Sequence, residues 1–104
     1  MFARNVHLQL KPNTAPQFTQ TLEREVIPML RKQPGFREEV ALIGPNGNEA
    51  FAISFWDSQE KAEQYARAVY PEVLKVLAPV VLGTPLLQNY EVCTSTIPKI
   101  TAHA

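Results

Sequence analysis

The sequence predicts an α+β fold: one domain with four strands and two helical regions, in the order strand, helix, strand, strand, helix, strand. Three observations carry this. Apolar and polar residues alternate over residues 3–11. Two longer stretches, 15–33 and 58–78, repeat apolar residues at helical spacing. A dense Gly-Pro-Asn-Gly-Asn turn separates two strand-like runs. A chain of 104 residues is expected to form a single domain, which buries roughly two-thirds of its unfolded surface around one modest core.

Each element has its own local cause. In the first strand Val6, Leu8 and Leu10 alternate with Asn5, His7, Gln9 and Lys11, the period of a half-buried strand. Pro12 and Asn13 end it. Thr14-Ala15-Pro16-Gln17 reads as a capping box with proline in the first turn. Phe18, Leu22, Val26, Met29 and Leu30 then line one face of an amphipathic helix over 15–33. Pro28 removes a backbone donor inside it and should kink its last turn, at a cost near 3 kcal/mol without compensation. Pro34-Gly35 stops the helix.

Phe36 to Ile43 is the second strand and Ala50 to Trp56 the third; the Asn46-Gly47 turn makes them a hairpin. Asp57 or Ser58 can cap the next helix. Ala62, Tyr65, Ala66, Val69, Val73, Val76 and Leu77 keep helical spacing, and Pro71 divides them into a helix near 58–69 and a shorter one near 71–78. Pro79, Gly83 and Pro85 mark a loop, and Leu86 to Thr94 is the last strand. Residues 97–104 carry no pattern and read as a tail behind a domain of residues 1–96.

This order is the split βαβ, ferredoxin-like arrangement, with helices on one face of a four-stranded antiparallel sheet. The alternation suggests which side chains face them. Val6, Leu8 and Leu10 of the first strand, and bulky Phe51, Ile53 and Phe55 of the third, suit packing under helices. The opposite face then holds Asn5, His7, Gln9, Ala50, Ala52, Ser54 and Trp56, a cavity-like mixture of small and polar side chains with one large aromatic. Left as a monomer, that face keeps Trp56 wet. Pairing with a second copy about a two-fold axis would bury it inside a barrel, a gain of a few kcal/mol.

Composition excludes several function classes. Ten Lys and Arg balance ten Asp and Glu, so the formal charge is zero and no basic nucleic-acid footprint is present; near-zero charge favours self-association. Cys93 is the only cysteine, so neither an intrachain disulfide nor a cysteine zinc site can form. No apolar run is long enough to span a bilayer, and Met1 to His7 lack the apolar core of a signal peptide; a cytoplasmic protein without membrane attachment is expected. The two histidines, His7 and His103, have no metal-ligand spacing. Gly44-Pro45-Asn46-Gly47 is a hairpin turn, not a phosphate loop.

Three segments carry a resemblance: Ala52-Ile53-Ser54-Phe55-Trp56-Asp57-Ser58-Gln59-Glu60-Lys61-Ala62, Leu30-Arg31-Lys32-Gln33-Pro34-Gly35-Phe36, and the Tyr90-Glu91-Val92 ending. Together they resemble the antibiotic biosynthesis monooxygenase-like family of the dimeric α/β-barrel superfamily, across the chain to about residue 96. The resemblance implies a homodimer and an oxygenase that needs no cofactor, acting on quinone-like or anthrone-like aromatics in a cavity between sheet and helices. The family's haem-degrading branch pairs an Asn on the first strand and a Trp ending the third with an iron-ligating His on the second helical region. Asn5 and Trp56 match, but Val69 to Leu77 contain no His. No cofactor is expected on that ground.

Within that frame His7 is the candidate for proton chemistry, because imidazole titrates near neutrality. Asn5 is a second catalytic candidate, able with Gln9 to orient a carbonyl or stabilise an oxyanion. Trp56 can stack on a planar ligand, Ser54 leaves room beside it, and Tyr65 and Tyr70 can point hydroxyls into the same pocket. Each has a plainer alternative as interface filler, core anchor or core edge. Arg37, Glu38 and Glu39 on the second strand are either a ligand-fixing pair or an exposed ion pair worth under about 1 kcal/mol. Cys93 is expected as a small buried strand residue. A cofactor-independent monooxygenase, or a related small enzyme, acting on an aromatic small molecule is the leading expectation. A dimer that binds or senses a hydrophobic metabolite without chemistry is the rival, and a structural dimer with a filled barrel is a third reading.

Overall fold

The computed structural model of the chain describes residues 1–100. Four strands form one antiparallel sheet in the order β2-β3-β1-β4: β1 (Phe2–Leu10), β2 (Phe36–Ile43), β3 (Glu49–Trp56) and β4 (Val81–Glu91). Between β1 and β2 run α1 (Ala15–Thr21), a π-helical turn (Leu22–Val26) and α2 (Ile27–Arg31). Between β3 and β4 run α3 (Gln59–Ala68), α4 (Tyr70–Leu77) and a 3₁₀ turn (Ala78–Val80). This is the predicted α+β ferredoxin-like arrangement. No helix among the described residues is long and apolar enough to cross a membrane.

The first helical region differs in detail from the continuous helix expected over 15–33. A π turn precedes Pro28, and the Ile27 N–H reaches back to the Leu22 carbonyl, one residue further than in an α-helix. The extra residue re-phases the backbone ahead of the proline, while Phe18, Leu22, Val26 and Leu30 all stay buried. Nor does the capping box at Thr14 form: its hydroxyl donates to the Lys11 carbonyl at 2.7 Å instead. Ser58 does cap α3, its hydroxyl accepting from the Lys61 N–H at 3.2 Å. At Val69 the backbone leaves helical values (φ −124°, ψ −35°), which separates α3 from α4 ahead of Pro71. Gly35 has φ +82°, and an added Cβ would lie 2.6 Å from the Lys61 side chain, so the Pro34-Gly35 turn requires glycine.

β4 begins at Val81, inside the segment expected as a loop, and ends at Glu91 rather than Thr94. Gly83, at φ +67°, lies where the register against β1 shifts between His7 and Gln9; a bulge of this kind lets a strand pass through Gly and Pro residues. Cys93 follows the strand and is exposed, not buried. Part of the predicted tail packs against the domain: Ile100 is buried and lines one pocket with Phe55, and the Lys99 ammonium lies 3.7 Å from Glu38. The rest of that tail, with His103, lies outside the described residues.

One face assignment is reversed. Antiparallel partners share a face, and the register pairs Phe2 with Trp56, Arg4 with Ser54, Val6 with Ala52 and Leu8 with Ala50. Val6, Leu8 and Leu10 do lie under the helices as expected, but so do Ala50, Ala52, Ser54 and Trp56. Phe51, Ile53 and Phe55 sit on the uncovered face with Asn5 and His7. Strand alternation separates the two sets without stating which one the helices cover. Bulk misleads here because the helices bring large side chains of their own, Phe18, Leu22, Val26 and Leu30, and the small β3 residues leave space for them.

Candidate functional site

Between the sheet and the helices lies a cavity of about 30 Å³, large enough for only one or two waters. Apolar side chains from the π turn, α2 and α4 make most of its wall, Leu22, Val26, Leu30 and Leu77 among them. Five residues break the apolar lining: Arg4 on β1, Glu39 on β2, Ser54 on β3, Tyr65 on α3 and Tyr70 at the start of α4. They converge because Arg4 and Glu39 both pair with Ser54, one from each neighbouring strand, so the three form a row across the helix-covered face.

Arg4 is only 4% exposed, and its Nη2 has no hydrogen-bond partner among the described residues. Its guanidinium stands over the rings of Tyr70 (4.7 Å) and Tyr65 (5.4 Å). Such stacking returns part of the lost hydration, yet burial still pulls the guanidinium below its usual range, against an opposing effect from the two phenols. Burial also pushes both tyrosine hydroxyls up, so they remain neutral donors. Glu39 is half-buried as a residue, but its Oε1 is sealed from solvent and unpartnered. Burial raises its carboxyl to about 8. A buried cation with a free donor and a buried carboxyl with a free oxygen thus face one apolar space. That arrangement suits an apolar ligand carrying an anionic or carbonyl oxygen at one end and an acidic hydrogen at the other.

The sequence-based candidates divide between the two faces of the sheet. Ser54, Tyr65 and Tyr70 line the cavity. Trp56 is fully buried behind it: its indole N–H donates to the Ser54 hydroxyl at 2.8 Å, and its ring stacks on Tyr65 (4.7 Å) and meets the Phe36 edge (5.5 Å). Asn5, His7 and Gln9 lie on the opposite face, so they do not share a cavity with Trp56 as expected. There His7 stacks on Phe51 (4.4 Å) and its Nε2 lies 2.9 Å from Glu49 Oε2. Asn5 Oδ1 is buried without a partner and Gln9 is exposed.

Arg4 escaped sequence reading. It lies at the start of the alternating run, where a charged side chain reads as solvent-facing; its one available signal was an even position in register with Val6, Leu8 and Leu10. Glu39 was read with Arg37 and Glu38 as part of a ligand-fixing pair or an exposed ion pair, and the sequence does not say which glutamate faces inward. No group of three or more His, Cys, Asp or Glu among the described residues is placed to hold a metal ion.

Residues 1–72 match the antibiotic biosynthesis monooxygenase family. The chain belongs to that family. Its fold is similar to that of a monooxygenase from the gene ActVA-Orf6 of Streptomyces coelicolor, solved in complex with nanaomycin D, at 19% identity and a TM-score of 0.77 over 93% of this chain and 91% of that one. It is similar also to the NE2512 protein of unknown function from Nitrosomonas europaea, at 14% identity and a TM-score of 0.76 over 93% of each chain. A third similar structure is a MhuD variant with manganese protoporphyrin IX bound, at 16% identity and a TM-score of 0.74 over 92% of this chain and 98% of that one. No curated protein matches the chain. The residues here do not fit a haem group: His7 is the one histidine among the described residues, and it lies across the sheet from the helices.

Proposed function

We propose that this family member is a cofactor-independent oxygenase that takes a flat, electron-rich aromatic or quinone-like molecule into the cavity between sheet and helices. The observation that carries the reading is the unpaired Arg4 Nη2, buried in an apolar space beside two neutral tyrosine hydroxyls. An aromatic anion can itself reduce dioxygen, so the protein's work is to favour the anion and keep water out. Arg4, with Tyr65 and Tyr70, supplies donors fixed where negative charge develops. Ser54 and Trp56 hold the floor of the site, and Trp56 acts through Ser54 and Tyr65 rather than by contact with the ligand. Taking anthrone as the probe, the ring methylene and one O₂ give the anthraquinone carbonyl and one water.

At about 30 Å³ the cavity is too small for a tricyclic ring, so binding requires the helical wall to move. Two breaks in regular helix flank it, the π turn at Leu22–Val26 and the irregular Val69. The same reading makes the working unit a homodimer joined through the uncovered face, where Leu86 (65% exposed) and Leu42 (51%) flank the His7–Phe51 stack and Tyr90 (51%) lies further along the same face. Asn5, His7 and Gln9 then serve that interface.

Oxygen uptake with anthrone tests the function. Wild type should consume O₂ well above autoxidation, and Arg4→Gln should lose about 100-fold, the usual cost of one oxyanion donor. Anthrone that binds without uptake would make the protein a binding or sensing dimer.

A further inference from the structure

The cavity has a second polar wall that the anion-stabilising groups leave unused. Among the described residues Glu39 is the only carboxylate lining it. The same residue also lines a separate, polar pocket of about 400 Å³ on its other side, with Arg31, Arg37, Glu38 and Lys99. It therefore stands between an apolar space and a polar, charged one. Resting on the oxygenase reading above, we propose that Glu39 is the catalytic proton acceptor: Oε1 takes the proton the substrate must lose and releases it to the polar pocket.

The other groups are excluded by chemistry. Arg4 has no acceptor atom. Tyr65 and Tyr70 are held neutral by burial, so neither offers a phenolate base. Ser54 already accepts from Trp56, and His7 is across the sheet. The balance is simple for anthrone. The ring C–H bond breaks, a Glu39 O–H bond forms, and the electron pair delocalises to the carbonyl oxygen facing Arg4. The anion passes one electron to dioxygen, and the radical pair combines as a peroxide. Protonation and loss of water, with removal of the second ring hydrogen, then give the quinone.

A carboxyl held near 8 by burial is a matched base for such a weak carbon acid, ionised in about a tenth of molecules at pH 7. The charged groups around it are few. Arg4 faces it in the cavity, as do the phenols of Tyr65 and Tyr70. On the outer side Arg37 is engaged by Asp57 and Lys99 by Glu38, which leaves Arg31 as the cation with no ion pair among the described residues. Turnover should accordingly rise with pH through about 8 in wild type.

Mixing the protein anaerobically with anthrone separates the steps. At pH 9, where Glu39 is ionised before mixing, wild type should develop the visible absorption of the anthrone anion together with the infrared band of a protonated carboxyl. Glu39→Gln should bind anthrone, measured by calorimetry, yet lose both signals, lose about 100-fold in oxygen uptake and lose the pH dependence. Glu39→Asp, with its carboxyl one methylene short, should keep part of each and guards against a misfolded Gln variant. If Glu39→Gln ionises anthrone and consumes oxygen like wild type, the proton assignment is overturned and the oxygenase reading stands. If wild type ionises anthrone with the carboxyl band but takes up no oxygen, the oxygenase reading falls and the proton assignment stands. No binding of anthrone overturns both.

Discussion

Two ionisable residues, each with a buried polar atom, set the character of the interior. Arg4 and Glu39 are two strands apart, and neither is neutralised by the other's contact; each leaves a polar atom unpaired. Natural cores rarely tolerate this unless function requires it. Glu39 has a measurable consequence for stability. Its folded value is about 8 against an ordinary 4.5, so the folded state holds a proton that the unfolded state has released between those values. Stability must therefore fall as pH rises from about 4.5 to 8, by at most about 1.4 kcal/mol per pH unit from this group. Urea unfolding at pH 5 and pH 8 should show wild type losing stability across that window and Glu39→Gln losing clearly less; parallel losses would show that Glu39 is not the cause. Sequence reading named Tyr65, Tyr70 and Ser54 as pocket residues, although it placed Ser54 on the face away from the helices. Burial of a charged side chain, by contrast, depends on neighbours distant in the chain, and those decided Arg4 and Glu39.

Helix ends and helix defects carry the next level of control. Ser58 closes α3 through the Lys61 N–H, and Ser58→Ala should cost about 1 kcal/mol, lowering the melting temperature by about 4–8 °C. An unchanged melting temperature would mean the bond contributes nothing. The π turn ahead of Pro28 and the break at Val69 interrupt regular hydrogen bonding next to the cavity, and such segments open at lower free energy than a continuous helix. Amide exchange over 22–30 and 69–74 should therefore be fast in the free protein and slow when anthrone is bound; protection that ignores the ligand would argue against an opening wall. Pro28 and Pro71 were legible as interruptions. The form each interruption takes was not, because a π turn and a kink satisfy the same missing donor in different ways and packing chooses between them.

At the scale of the molecule, the sheet has one face under helices and one without, and the bare face is where a second copy would fit. Leu86→Glu puts a charge at its most exposed apolar position; light scattering should find a dimer in wild type and at least tenfold weaker association in the variant, about 1.4 kcal/mol. A wild-type monomer at high concentration would end that reading. The element order, and hence the ferredoxin-like fold, followed from the sequence by itself, because strand alternation, helical spacing and turn residues are local properties written in consecutive positions. Which face of β3 the helices cover, and therefore whether Trp56 or Phe51 belongs to the cavity, was decided only by tertiary structure. Alternation has two equivalent solutions, and the choice between them rests on how much volume the helices bring with them. That choice put Trp56 and His7 on opposite sides of the sheet and brought Arg4 and Glu39 into one cavity.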